Sequence, residues 1–378
     1  MGADSTPSLP IFIPSNGRIL VVRPDRLGDV LLSTPALEVL RRAYPKASIS
    51  VLVQPRVAPA LRGLSSVDEV IEFDPEVLHA GWSGFRRLVA TFRQGRFDLA
   101  VVLQAPARVA LALLVARIPL RLGPYSKWYS FLAYNRGMRQ RRSQVEMHEA
   151  DYNLQLLRPL GIQAGSRTVA TRAAISAEAR AEVDRWCISQ GVDLRSGSWV
   201  AIHPGMGGSA LNWPEAHYES LVATLLADGV GVILTGGPGE QQILDRFAER
   251  FSGQPRFRIY GGRAAPDVQR LAALYSGVRL VVAPSTGPLH LAVAAGRDVV
   301  AFYPPIRVQS AKRWGPYEGP GVQAGRPQRA VVFTPEVYCG QEFRCAGERC
   351  PSYPCMKTIA VERVAAEAKK ILEEPACR

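Results

Sequence analysis

Apolar and polar residues along this chain come in blocks. Arg18–Arg23 sets Ile19, Leu20, Val21 and Val22 in a row, the unbroken apolar run of a strand covered on both faces. Pro24 and Gly28 punctuate a charged loop, and from Val30 onward Leu31, Leu37 and Leu40 recur at helical spacing up to Arg41 and Arg42. Cations suit that last turn because the helix dipole is negative there. Strands follow at Ser48–Val53, Val70–Phe73 and Phe97–Leu103, with helices over Trp82–Gln94 and Pro106–Ala116.

After a break between Gly161 and Ala174 the alternation restarts. A helix over Ser176–Gln190 opens on a capping box of Ser176 with Glu178 and Glu182. Strands are expected at Trp199–Ile202, Val230–Thr235, Leu280–Ala283 and Val299–Tyr303, with helices over Pro214–Asp228, up to Phe251, and over Ile359–Glu373. Strands separated by helices imply right-handed crossovers and parallel sheets. The fold class is therefore α/β, with two Rossmann-like domains over 18–172 and 173–355, a disordered leader over 1–17 and a final segment over 356–378.

Composition adds one constraint. The 378 residues carry a formal charge of +13 with 47% hydrophobic content, a globular chain with an anionic partner such as nucleic acid, acidic membrane or phosphorylated substrate. No apolar run reaches the roughly 18 residues of a membrane span, and the N-terminus lacks a secretory pattern. A cytoplasmic protein that touches membranes only peripherally is expected. From Leu99 to Val145 there is no acidic residue but eight cations, Arg108, Arg117, Arg121, Lys127, Arg136, Arg139, Arg141 and Arg142, interleaved with Trp128, Tyr129, Phe131 and Tyr134. Such a stretch reads either as a solvated basic face or as a docking surface for anionic lipid or nucleic acid; no nucleic-acid-binding motif accompanies it.

Three glycine-rich turns each follow an expected strand and precede an expected helix: His203–Ser209, Thr235–Glu240 and Ser285–His290. Glycine admits close approach of backbone N–H groups, and helix N-termini favour anions. Together they form a nucleotide or diphosphate site, with His203 and His290 beside it. None matches GxGxxG with its distal acid, which disfavours a nicotinamide dehydrogenase. No Asp-x-Asp pair occurs, so the metal cradle of many sugar transferases is missing. Asp29, at or next to a helix N-cap beyond a strand's carboxyl end, is either a cap or a catalytic group. Cys339, Cys345, Cys350 and Cys355 crowd into 17 residues, at spacings that match no common zinc pattern; a structural zinc or packed thiols are the two readings.

Taken together, RPDRLGDVLLSTPALEVLRRAYP, IHPGMGGSALNWP, LTGGPGEQQ, APSTGPLHLAVAAG and the C-x5-C-x4-C-P-x3-C-M tail resemble, in content and order, glycosyltransferase family 9, the ADP-heptose:lipopolysaccharide heptosyltransferases. The resemblance implies a GT-B architecture, the last helix crossing back to the first domain, and inverting, metal-independent transfer of a heptose or related sugar to a lipopolysaccharide-core or similar acceptor, requiring no cofactor. Asp29 becomes the general base. The implied donor set is His203, Gly205, Met206, Ser209, Gly236, Glu240, Ser285, Thr286, Gly287, Pro288 and His290, with Glu240 on the ribose and Thr286, Gly287 and His290 around the diphosphate. Arg23, Arg26, Arg121, Lys127, Arg136 and Arg139 are the implied contacts to an anionic glycolipid, at the inner face of the cytoplasmic membrane, with no nucleic-acid partner. Two positions depart from the family pattern: Leu211 stands where a cation is common and Ser285 where an Asp is common. Either Ser209 and backbone amides suffice there, or a cation such as Lys312 or Arg313 substitutes from another loop. The competing functions are a nucleotide-sugar epimerase of the same architecture and a non-enzymatic nucleic-acid-binding protein.

Overall fold

The computed structural model describes residues 13–196, 198–208, 210–262, 267–319 and 328–374. They divide into two compact units, one drawn from Met1–Arg142 with Glu149–Val169, the other from Ser143–His148 with Ala170–Arg378. The chain thus changes unit at Val169 and makes a short excursion just before Glu149.

The first unit contains strands β1 (Arg18–Val22), β2 (Ser48–Val53), β3 (Glu69–Glu72), β4 (Leu99–Val102), β5 (Leu120–Pro124) and β6 (Arg136–Met138). Its helices are α1 (Leu27–Leu31), α2 (Thr34–Ala43), α3 (Gly81–Gly95), α4 (Ala107–Val115), α5 (Ser130–Ala133) and α6 (Glu149–Gln155). All strand pairs are parallel, in the order β3-β2-β1-β4-β5-β6. The central strand shows why its apolar run is unbroken. Ile19 and Val21 join the core under α2, while Leu20 and Val22 join the opposite core with Leu88, Phe92 and Val109 from α3 and α4.

The second unit begins with helix α7 (Ala177–Gln190) and contains β7 (Trp199–Ile202), α8 (Glu215–Ala227), β8 (Gly231–Gly236), α9 (Gln241–Phe251), β9 (Phe257–Gly261) and α10 (Val268–Gly277). It continues with β10 (Leu280–Pro284), α11 (Gly287–Ala294), β11 (Asp298–Phe302), α12 (Ala311–Trp314), β12 (Ala330–Phe333) and α13 (Val361–Glu373). Its parallel sheet has the order β12-β11-β10-β7-β8-β9, the same winding as the first sheet. In both, strand order reverses beside the unit's first strand, between β1 and β4 and between β7 and β10. Ligands of open α/β sheets bind outside the strands' carboxyl ends at such a reversal.

Four expectations change. Part of the expected leader is folded structure: residues 1–12 lie outside the described part, but Ile13 is buried in the first core and Gly17 N–H donates to Pro14 O at 2.8 Å. The helix after β1 is split into α1 and α2, because Pro35 lies at the start of α2 and can neither donate an N–H nor tolerate a helical carbonyl behind its ring. At α7 there is a cap but no capping box: the Ser176 side chain accepts from Ala179 N, and the third helical residue is Ala179. Finally, α13 belongs to the second unit, not the first. Val364, Ala365, Ala368 and Ile371 form one apolar stripe in the core beside α8, and Arg279 Nη2 donates to the carbonyls of Ile371 and Glu374 at 2.8 and 3.0 Å, closing the helix end.

Candidate functional site

In the second unit the loops that leave β7, β8 and β10 share the carboxyl edge of the sheet. His203 follows β7, tied to the neighbouring strand by its N–H to Val282 O at 2.9 Å. Its ring is buried, with Nδ1 3.0 Å from Thr235 Oγ1 and Nε2 3.4 Å from Glu240 Oε2. Burial lowers its pKa, and only Glu240 opposes that. Thr235 Oγ1 in turn meets the Tyr275 hydroxyl at 3.0 Å. Glu240 ends the single turn Pro238–Glu240 before α9, and its Oε2 accepts the Gly237 N–H at 2.7 Å. Its other oxygen, Oε1, is so close to Gly205 that a Cβ there would sit 1.7 Å away. Gly205 is required for this close approach. Comparable work is done one strand over by Gly261, which pairs with Gly236: its φ is +135° and an added Cβ would meet Gly236 O at 2.2 Å.

Across the strand reversal, Ser285 N–H donates to Phe302 O at 3.1 Å. Thr286 precedes α11 in extended conformation, and its hydroxyl turns back to Pro284 O at 3.2 Å, so no side chain caps the helix. Gly287 and Pro288 form the first turn, half-exposed with Ser285 and Thr286. His290 differs from expectation. It is 5% exposed, facing the interior, and its Nδ1 has no protein hydrogen-bond partner. Burial, helped by nearby His148, pushes its pKa down to about 3. His148 itself meets Gly315 O at 2.9 Å and packs on Tyr317, which explains why the short segment before Glu149 joins this unit. The loop around Met206 is closed by Asn212 Nδ2 to Pro204 O at 2.7 Å, and Trp213 Nε1 donates to Ile359 O at 2.9 Å. Leu211 packs at the edge of the core. Ser209 lies outside the described residues. Lys312 is exposed on α12, which the Tyr303 hydroxyl fastens by donating to Trp314 O at 2.5 Å; the Arg313 guanidinium covers the Trp314 ring.

The first unit's reversal holds Asp29. It is the third residue of α1, not its cap: Arg26 is the N-cap and makes no side-chain capping bond. The Asp29 carboxylate is 23% exposed and accepts Arg23 Nη2 at 2.7 Å. Arg23 was expected to contact acceptor, but it is 2% exposed, with Asp25 at 2.9 Å, Glu149 at 3.2 Å and Asn153 at 3.4 Å in addition to Asp29, and its buried Nε faces Asp25 without a hydrogen bond. Burial works against its charge, yet Asp29, Glu149 and Asp25 together raise its pKa. Glu149 also pairs with Arg142. Burial pushes Asp25 up to about 6, against the pull of Arg23.

Arg121 also departs from the expected acceptor set. Its guanidinium donates to Ala133 O at 2.7 Å and to Ile118 O, so it fastens the segment after β5. Arg26, Lys127, Arg136 and Arg139 are exposed. Among the described residues no group of three or more His, Cys, Asp or Glu is placed to hold a metal ion. The cysteine thiols are nevertheless close enough that Cys339, Cys345 and Cys350 add to the burial that raises the pKa of Cys355.

Sequence reading missed Glu149, Asn153, Thr235, Tyr275 and His148. Glu149 and Asn153 reach Arg23 across 126 and 130 residues, beyond any local pattern. Thr235 stood inside a recognised turn and carried a signal, being a polar residue at the end of the apolar run of β8.

The geometry can be set beside known proteins. Residues 85–329 match the model of glycosyltransferase family 9 (heptosyltransferase). A protein of Haemophilus influenzae, named only provisionally as a glycosyltransferase, is 31% identical over 304 residues, 79% of this chain and 86% of its own. Among solved structures, a family 9 glycosyl transferase from Veillonella parvula superposes with a TM-score of 0.84 at 21% identity, covering 97% of this chain and 100% of that one. The ADP-heptose lipopolysaccharide heptosyltransferase II of Escherichia coli gives 0.71 at 20% identity, covering 94% and 98%. The paired parallel sheets are thus those of the GT-B heptosyltransferases, and family membership favours a glycosyltransferase over an epimerase or a non-enzymatic protein. The chain belongs to glycosyltransferase family 9, the heptosyltransferase family.

Proposed function

We propose that this enzyme transfers a heptose or closely related sugar from an ADP-sugar, with inversion, to an anionic lipopolysaccharide-core or similar lipid-linked glycan at the inner face of the cytoplasmic membrane. The observation that carries the reading is the carboxylate of Glu240, wedged between Gly205 and Gly237 at the strand reversal of the second unit. A carboxylate with one oxygen facing a glycine loop suits the vicinal hydroxyls of a ribose. The uncapped N-terminus of α11, on the other side of the strand reversal, suits a diphosphate.

The chemistry follows from the chain's own groups. An acceptor hydroxyl attacks the anomeric carbon from the face opposite the nucleotide, its proton passes to Asp29, and the bond from the anomeric carbon to the diphosphate oxygen breaks. The electron pair leaves with ADP, whose growing charge is met by the N–H groups of the α11 turn and of the loop around Gly205. Arg23 holds Asp29 in place from beneath. Arg26, exposed one turn away, suits an acceptor phosphate. Lys312 on α12 is the cation that could stand in for the one missing at Leu211.

A thermal-shift panel of nucleotide sugars tests the donor class. A ligand bound only to the folded chain raises the melting point, by the equivalent of about 2.7 kcal/mol at one hundred times its dissociation constant. ADP-heptose should give the largest rise and UDP-sugars little. Equal rises across nucleotides would defeat the donor assignment. Transfer should also persist after dialysis against EDTA; loss restored by a divalent cation would defeat the metal-independent route.

A further inference from the structure

The segment after β5 builds a surface that the reaction does not use. Tyr125 N–H donates to Met138 O at 2.9 Å, and Tyr129 OH donates to Ala105 O at 2.7 Å, just past the end of β4. Ser130, Ala133 and Tyr134 point inward, the last two into the core. One helical turn is thereby held rigidly at the carboxyl edge of the sheet that carries Asp29. Its outer face is apolar: Trp128, Phe131 and Leu132 are 73%, 65% and 64% exposed. Phe131 stacks on Tyr125 at 5.3 Å, so the aromatic face is ordered.

Lys127, Arg136 and Arg139 are exposed around it, and none of them makes an ion pair among the described residues. The nearest acidic residues in sequence are Asp98 and Glu146. Soluble proteins seldom leave large apolar side chains clustered in the open without a partner. Aromatic and aliphatic side chains ringed by cations match one surface in particular: a bilayer interface, where rings sit at headgroup depth and Lys or Arg lie at the phosphates. Nucleic acid would use the cations and the rings, but gains nothing from Leu132. A second copy of the chain would bring its own cations to the same place.

We infer that α5 and its flanks dock the first unit on an anionic bilayer, with Trp128, Phe131 and Leu132 entering the interface and Lys127, Arg136 and Arg139 meeting lipid phosphates. This rests on the reading above only for the membrane side of the reaction. The test uses vesicles that contain no glycan acceptor, so either claim can fail without the other.

The full-length protein is sedimented with vesicles of phosphatidylcholine alone and of phosphatidylcholine with about one third phosphatidylglycerol. Binding is expected to the anionic vesicles, weakened by salt as the Debye length shrinks, with a blue shift of tryptophan emission. Phe131→Ser with Leu132→Ser should lower binding at least about tenfold, and Trp128→Phe should abolish most of the emission shift while keeping binding. Both variants should retain a melting point near wild type and the wild-type nucleotide-sugar affinity, since these side chains are mostly exposed and lie outside the core. Undiminished vesicle binding by the double variant would overturn the proposal. So would absent vesicle binding by the wild type, tighter salt-sensitive binding to unrelated DNA, or a wild-type dimer that the double substitution dissociates.

Discussion

Gly205 has no room for a methyl group. Its Cβ would lie 1.7 Å from Glu240 Oε1, so Gly205→Ala should push the carboxylate off the crevice while leaving the sheet beneath intact. The expected result is a loss of donor affinity of about tenfold or more by calorimetry, with a melting point close to wild type. Arg23 is the opposite kind of residue, a buried charge that three carboxylates share. Removing it leaves those carboxylates without compensation. Arg23→Ala should cost about 3–5 kcal/mol in denaturant unfolding, whereas Arg23→Lys, which restores the charge without the planar fork, should recover part of the stability but not the rate. A third effect is visible with pH. His290 has a pKa pushed down to about 3, so the folded chain binds fewer protons there than the unfolded one. Its contribution is whole above the unfolded value near 6.5 and is lost as pH falls towards 3. His290→Asn should therefore flatten the fall in melting point between pH 6.5 and pH 4.5, by a difference on the order of 2 kcal/mol. A parallel decline in both proteins would refute the assignment. Gly205, Glu240 and Arg23 also show what could be read in advance. Gly205 and Glu240 were legible as motif positions, but not their contact. Arg23 was legible as a cation beside Asp29, and its burial was not, because the partners that bury it come from α6.

At the scale of elements, the apolar blocks marked the central strands well, since β1, β2, β4, β7, β8 and β10 are covered on both faces and read as continuous runs. The strands that were missed, β5, β6, β9 and β12, lie towards the sheet edges. They carry arginine, glycine or proline, as in LRLGP and FRIYG, or are only three or four residues long. Their hydrophobicity is supplied by neighbours, so no local pattern marks them. Helix α13 is another case. Its amphipathic stripe was plain, but which sheet it would cover depended on Arg279 and Trp213, two distant residues that hold its ends. Trp213→Phe keeps the ring stacked on Phe302 at 4.4 Å and loses the bond to Ile359 O. About 1–2 kcal/mol should be lost, with faster amide exchange in the segment from Cys355 through α13 than in β7 or β10. Uniform acceleration across the unit would mean that the bond has no local role.

For the whole molecule, the two sheets share one winding, and the proposed reaction draws on groups from both. The second supplies glycine loops, an uncapped helix and Glu240; the first supplies a carboxylate held by a buried guanidinium, with exposed cations on its loops. No helix among the described residues is long and apolar enough to cross a membrane, and the net charge of +13 favours an anionic partner. The central claim is that Asp29 accepts the proton of the attacking hydroxyl. It is tested by measuring, on one preparation of Asp29→Asn, both sugar transfer and binding of the nucleotide sugar. The account predicts transfer reduced by at least about a thousandfold with donor affinity and melting point within a factor or degree or two of wild type. Transfer close to the wild-type rate, or loss of donor binding together with activity, would contradict it.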